Sequence, residues 1–199
     1  MKKSTCEFCL DKPNGIKPIF ESAHFYVTPS LGQIVPGYLL ICTQQHFISL
    51  SQIPQDYFSD LKEVQERVRR VLIQEYYSPI FYEHGPVKER QGVCCVDHAH
   101  LHCVPLGKDL LEDITQFLAP TEIQDISELM RQQEKGIPYL YYESSLKMKY
   151  VVELHAPILS QFMRQLAAIS VGKPESWDWR IHPTKETCEE VAENLRGRL

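Results

Sequence analysis

Three of the chain's eight histidines stand at strict two-residue spacing in the run Val96-Asp97-His98-Ala99-His100-Leu101-His102-Cys103-Val104-Pro105-Leu106. Alternate side chains of a β-strand share a face, so His98, His100 and His102 are expected to project together while Ala99, Leu101 and Cys103 turn the other way. Apolar residues on that opposite face, with Pro105 ending the run, predict a half-buried strand whose histidine face opens on a cavity or solvent. Two chemistries suit such a row. A neutral imidazole is nucleophilic near pH 7, and its phosphoramidate is labile enough to pass a phosphoryl group onward. Alternatively, three imidazoles hold a catalytic zinc with an open position for water.

A second group stands near the start. In Cys6-Glu7-Phe8-Cys9 two thiols have the knuckle spacing that lets both sulfurs reach one metal ion, and zinc accepts such a pair together with two imidazoles. A redox role needs a strand before the pair, and no strand-like run precedes it. The cysteine count is odd, seven in all, and no export signal is visible, so free thiols or metal ligands are expected instead of disulfides. Cys42, Cys103 and Cys188 sit in apolar-patterned stretches and read as small core residues. Cys94-Cys95, just before the histidine run, is expected to line the site.

The segment from His98 to Val104 resembles the signature of the histidine triad (HIT) superfamily, three histidines alternating with apolar residues and followed by two more. Cys6-x-x-Cys9, and Pro36-Gly37-Tyr38-Leu39-Leu40-Ile41 leading to His46, fall where that superfamily has them. The resemblance spans residues 5–107; Asp97-His98-Ala99-His100-Leu101-His102 and the late Trp177-Asp178-Trp179-Arg180 are similar to longer bacterial members. It implies a nucleotidyl hydrolase or transferase that cleaves an α-phosphate linkage. His100 is then the nucleophile, His102 a donor to a phosphate or leaving-group oxygen, and His98 the residue that orients its neighbours. It further implies structural zinc on Cys6, Cys9, His46 and His98; the alternative is unliganded cysteines with His46 capping the following helix. The substrate side is expected at Ser30, where relatives carry an acidic residue for ribose, and at His84, Gln91, Cys94 and Cys95, with Lys88 and Arg90 as further phosphate contacts. A non-catalytic nucleotide-binding regulator fits the same residues. Many relatives are homodimers, so a homodimer is admitted as well.

Positioning these groups requires an α+β fold: an antiparallel sheet of about five strands with packed helices, HIT-like, elaborated by a C-terminal hairpin and helices. Residues 19–27 read as two short strands around Glu21-Ser22, and residues 38–42 as a buried central strand. Ser51 and Pro54 open a helix over residues 51–77 with apolar positions Phe58, Leu61, Val64, Val68, Val71 and Leu72. Its charges Lys62, Glu63, Glu66, Arg67, Arg69 and Arg70 read as a solvated face. Residues 78–82 form a strand that Glu83-His84-Gly85-Pro86 ends. Helices are predicted at 109–119, 121–133, 157–170 and 184–196, and a hairpin at 139–143 and 147–154. The aromatic Trp177-Asp178-Trp179-Arg180 tract reads as a packing anchor. The domain reading is a nucleotide-binding core over 1–107 and an extension over 108–199 packed on it.

With 199 residues, 43% of them hydrophobic, the chain can bury a substantial core. A formal charge of −5 gives no global attraction for a polyanion, so bulk nucleic-acid binding is not expected. Neither a signal peptide nor a membrane span is visible, and a cytoplasmic protein is expected.

Overall fold

Alternation of apolar residues generates eight strands in the computed structural model, which describes residues 6–10, 16–89 and 96–199. They are β1 (Phe20–Glu21), β2 (Phe25–Pro29), β3 (Leu39–Thr43), β4 (Ile80–Gly85), β5 (His100–Val104), β6 (Thr121–Ile123), β7 (Tyr139–Glu143) and β8 (Lys149–Glu153). All pair antiparallel in one sheet of order β1-β2-β3-β5-β4-β7-β8-β6. The expectation of about five strands is therefore corrected to eight. The reason lies in β4, whose six residues are all buried. Its second edge would leave buried N–H and C=O groups unpaired, and the C-terminal hairpin satisfies them through β7.

The helices are α1 (Glu7–Leu10), α2 (Tyr57–Glu75), α3 (Leu111–Thr115), α4 (Met130–Lys135), α5 (Phe162–Ser170) and α6 (Lys185–Leu195). One sheet face, with Phe25, Val27, Leu39, Ile41, Phe81, Leu101, Cys103 and Tyr141, packs on Phe58, Leu61, Val64, Val68 and Leu72 of α2. The other face, with Tyr26, Leu40, Cys42, Tyr82, Leu140 and Tyr142, packs on Leu110, Ile114 and the α5 residues Phe162, Met163 and Ala167. Each fully buried Leu or Phe contributes about 1.5–3 kcal/mol relative to exposure, so both layers are strongly held. No helix among the described residues is long and apolar enough to cross a membrane.

Local chemistry moved two boundaries. The helix expected over 121–133 begins later, because Asp125 and Glu128 form a capping box: Ser127 N–H donates to Asp125 at 3.0 Å and Asp125 N–H to Glu128 at 3.1 Å. That cap fixes the helical start and leaves Thr121–Ile123 extended to pair with β8. The helix expected from Ser51 begins at Tyr57, after a 3-10 turn at Leu50–Gln52.

One charge of α2 was also misread. Arg69 is buried, its guanidinium paired with buried Glu143, 3.0 Å from Glu66 and 4.5 Å from the centre of the Phe81 ring. Helical spacing places it beside Val68 and Leu72 at the edge of the apolar stripe, and a carboxylate from β7 makes burial tolerable.

Glu83 on β4 is a buried acid of a different kind. It accepts from the Leu50 N–H at 2.8 Å and from the Tyr139 hydroxyl at 2.5 Å, and burial pushes its carboxyl up to about 8. Since an unfolded glutamate ionises near 4.3, folding stability falls as pH rises from there to about 8. Glu83→Gln is expected to flatten that part of the curve of melting temperature against pH. An unchanged slope in the variant would remove Glu83 as its source.

Candidate active site and metal centre

The sulfurs of the Cys-x-x-Cys pair meet two imidazoles drawn from distant parts of the chain. Cys6 stands just before α1 and Cys9 within it, the turn after β3 presents His46, and His98 arrives just before β5. Cys6 Sγ and Cys9 Sγ each lie 3.5 Å from His98 Nδ1, and Cys9 Sγ lies 3.4 Å from His46 Nδ1. All four ligand atoms fall within 4.8 Å of one another. Tetrahedral zinc with bonds of about 2.3 Å to sulfur and about 2.0–2.1 Å to nitrogen separates sulfur and nitrogen ligands by roughly 3.5–3.6 Å, so the observed spacing fits. Burial pushes the Cys6 thiol up, which disfavours a bare thiolate; a bound dication would offset that cost.

The strand itself carries His100 and His102, and His98 stands two residues before it. β5 begins at His100, because the β3–β5 ladder closes where Thr43 N–H donates to the Ala99 carbonyl at 3.2 Å and Ala99 N–H donates to the Phe47 carbonyl at 2.6 Å. His98 thus stands just ahead of the strand, its Nδ1 beside both sulfurs and its ring, like that of His100, against Phe8.

Each triad histidine has its own hydrogen-bond partner. His98 Nε2 lies 2.9 Å from the Thr43 carbonyl, an acceptor only, so Nε2 carries the proton and the Nδ1 lone pair faces the sulfurs. Burial lowers His98 to about 4 and keeps it neutral. His100 Nδ1 lies 2.5 Å from the His98 carbonyl, so Nδ1 donates and Nε2 holds the lone pair. Burial lowers His100 as well, so a nucleophilic imidazole is present near neutral pH. His102 Nδ1 lies 2.8 Å from the Tyr38 hydroxyl, which lies 2.5 Å from that of Tyr82, and the Tyr82 ring stacks on His102 at 4.4 Å. Burial holds His102 well below its ordinary value, aided by the charges of His100, Arg164 and His84.

His100 and His102 border a cavity whose empty space, open mouth included, is about 740 Å³. Ser30 and His84, both expected at the substrate, line it too. Gln91, Cys94 and Cys95, with Arg90, lie outside the described residues. Lys88 is exposed and is not part of the lining. Phe8, held between the two cysteines, lies 5.3 Å from His100 and 5.5 Å from His98, so the metal group also shapes the cavity wall.

Sequence reasoning missed the opposite wall. Gln161, Arg164 and Trp179 all line the cavity, and all come from the C-terminal half. Trp179 belongs to the aromatic tract read as a packing anchor. The structure divides that tract: Trp177 packs in the α5 core layer, while Trp179 faces the cavity. Tyr38 and Thr43, whose oxygens meet the rings of His102 and His98, were read only as the first residue of a buried strand and as the residue just past its end. Their pairing with β5, Leu40 opposite His102 and Cys42 opposite His100, is a register no single-strand pattern reveals.

Residues 1–118 match the model of the family described as proteins similar to the CwfJ C-terminal region. None of the curated proteins matches the chain. Similar solved structures include a HIT family protein from Bacillus anthracis, at 20% identity over 51% of this chain and 73% of that one, with a TM-score of 0.43. A hypothetical histidine triad nucleotide-binding protein from Sulfolobus tokodaii is 14% identical over 98% of this chain and 96% of that one, with a TM-score of 0.42. A zinc-bound histidine triad family protein from Mycobacterium smegmatis is 19% identical over 66% and 92%, with a TM-score of 0.42.

Proposed function

The chain belongs to the family of proteins similar to the CwfJ C-terminal region, and from that premise and its histidine geometry we propose that it is a nucleotidyl hydrolase or transferase. The substrate is a mononucleotide joined through its α-phosphate to a leaving group. The observation that carries the reading is the His100 tautomer: Nδ1–H is committed to the His98 carbonyl, so the remaining nitrogen of a cavity-lining ring holds a lone pair.

His100 Nε2 attacks the α-phosphorus, the bond to the leaving group breaks, and a nucleotidyl-histidine forms. Water or another acceptor then attacks phosphorus, releases the nucleotide and regenerates the imidazole. His102, whose Nδ1 in this reading accepts a hydrogen bond from the Tyr38 hydroxyl, offers Nε2–H to a phosphate or leaving-group oxygen. Ser30 and His84, together with Gln91, Cys94 and Cys95, form the substrate surround. Cys6, Cys9, His46 and His98 hold zinc as a structural ion, which fixes α1 and the His98 carbonyl. The metal-cage alternative lacks support, because among the described residues the three triad histidines do not gather their ring nitrogens as Cys6, Cys9, His46 and His98 do. Residues 1–107 act as the nucleotide-binding core and 108–199 as an extension packed on it.

The test is a brief reaction of wild-type protein with conjugates labelled at the α-phosphate, spanning phosphoanhydride, phosphoramidate and dinucleoside polyphosphate, quenched without acid. Label is expected on the peptide that contains His100. Turnover with label on no peptide would overturn the covalent route, and nucleotide binding without any turnover would identify a regulator instead.

A further inference from the structure

Two arginines among the described residues are buried yet differ in one respect. Arg69 has a carboxylate partner in Glu143. Arg164, only 3% exposed, has no ion pair with any carboxylate among the described residues. Its Nε donates to the Trp177 carbonyl at 2.7 Å and its Nη2 to the Gly32 carbonyl at 2.6 Å, while its guanidinium carbon lies 5.1 Å from the Tyr38 ring centre. Neutral carbonyls satisfy N–H groups but leave the charge itself uncompensated. Arg164 lines the same cavity as His100 and His102, and the Tyr38 ring beneath it carries the hydroxyl bonded to His102.

Gln161, one helical turn earlier, adds an independent observation. It is 4% exposed and lines the cavity, and its side-chain oxygen has no hydrogen-bond partner. Its amide nitrogen reaches Asp178 at 3.5 Å, and its backbone is held at φ 56° in the left-handed region, which glutamine rarely adopts. A buried acceptor left unsatisfied calls for a donor from outside the protein. The wall is packed tightly enough to fix both groups: at Gly32, φ +66°, an added Cβ would stand 2.6 Å from Arg164 Nη2 and 2.7 Å from Trp179 Cβ.

We infer that the C-terminal half supplies the substrate-recognition wall of the histidine cavity, with Arg164 pairing the phosphate groups of the ligand and Gln161 accepting a hydrogen bond from its nucleoside part. The inference rests on the nucleotide reading above for the ligand's identity, whereas the anion site stands on the uncompensated charge. Phosphate oxygens accept only, so the donor that Gln161 calls for must come from the sugar or base.

The test titrates wild type, Arg164→Gln and Gln161→Leu with pyrophosphate, the four nucleoside 5′-monophosphates and their parent nucleosides, followed by the fluorescence of the two tryptophans. Wild type is expected to bind pyrophosphate and to favour one monophosphate over its nucleoside by at least about tenfold. Arg164→Gln is expected to lose both effects. Gln161→Leu is expected to weaken monophosphate and nucleoside alike and to leave pyrophosphate unchanged. An undiminished phosphate preference in Arg164→Gln overturns the inference and leaves the nucleotide reading intact. Pyrophosphate binding that depends on Arg164, without binding of any nucleoside or monophosphate, keeps the anion site and removes the nucleotide reading. Because Arg164→Gln also loses two structural hydrogen bonds, a crystal structure of wild type with pyrophosphate provides a test free of folding. A phosphate oxygen bonded to the guanidinium is expected, and an anion seated elsewhere overturns the assignment.

Discussion

Replacing His100 by Asn is expected to lower turnover of any conjugate the wild type cleaves by about four to six orders of magnitude, the scale of losing the nucleophile from a catalytic unit. The substitution is chosen for its hydrogen bonding. The asparagine amide can still donate to the His98 carbonyl, which His100 Nδ1 meets at 2.5 Å, so the fold and nucleotide affinity are expected to survive. What disappears is the lone pair that would attack phosphorus. His102→Asn should be milder, at roughly 10²–10³ in kcat, because it removes one stabilising donor. Single-turnover rates beside melting curves separate these outcomes. Near wild-type turnover in the His100 variant would end the covalent mechanism.

The second large effect is expected from metal removal. Native mass spectrometry should find one zinc per chain, and Cys6→Ser with Cys9→Ser should lose it. A structural zinc contributes to folding directly, and for a chain of this size each 1 kcal/mol lost lowers the melting temperature by roughly 2–4 °C. A loss of about 4 kcal/mol would therefore appear as a drop of roughly 8–16 °C. Activity should fall with it, since Phe8 lies 5.3 Å from His100 and the His98 carbonyl holds the His100 tautomer. His46→Ala should weaken zinc retention and lower the melting temperature in the same direction. Full metal content with an unchanged melting temperature in that variant would take His46 out of the ligand set.

The chemistry-bearing residues were legible because their signals are local. Two-residue spacing put His100 and His102 on one face of β5, and knuckle spacing paired Cys6 with Cys9. Apolar periodicity placed the β7–β8 hairpin to within two residues, and α2 with its start six residues too early. Single-strand pattern failed where a distant partner decided the outcome. β4 offers two edges, and only the folded chain shows the second taken by β7, which extends a five-strand expectation to eight. Arg69 read as solvated because its partner Glu143 lies far away in sequence.

By itself, then, the sequence determined that a row of imidazoles and a thiol pair exist and which neighbours share their faces, since strand and helix periods follow from backbone geometry. Tertiary structure alone decided that Tyr38 meets His102. It also decided that Gln161, Arg164 and Trp179 close the cavity from the far half of the chain. Hydrogen-bond register and side-chain burial join residues that no local period relates, and an imidazole's tautomer is set by the acceptor it meets in space.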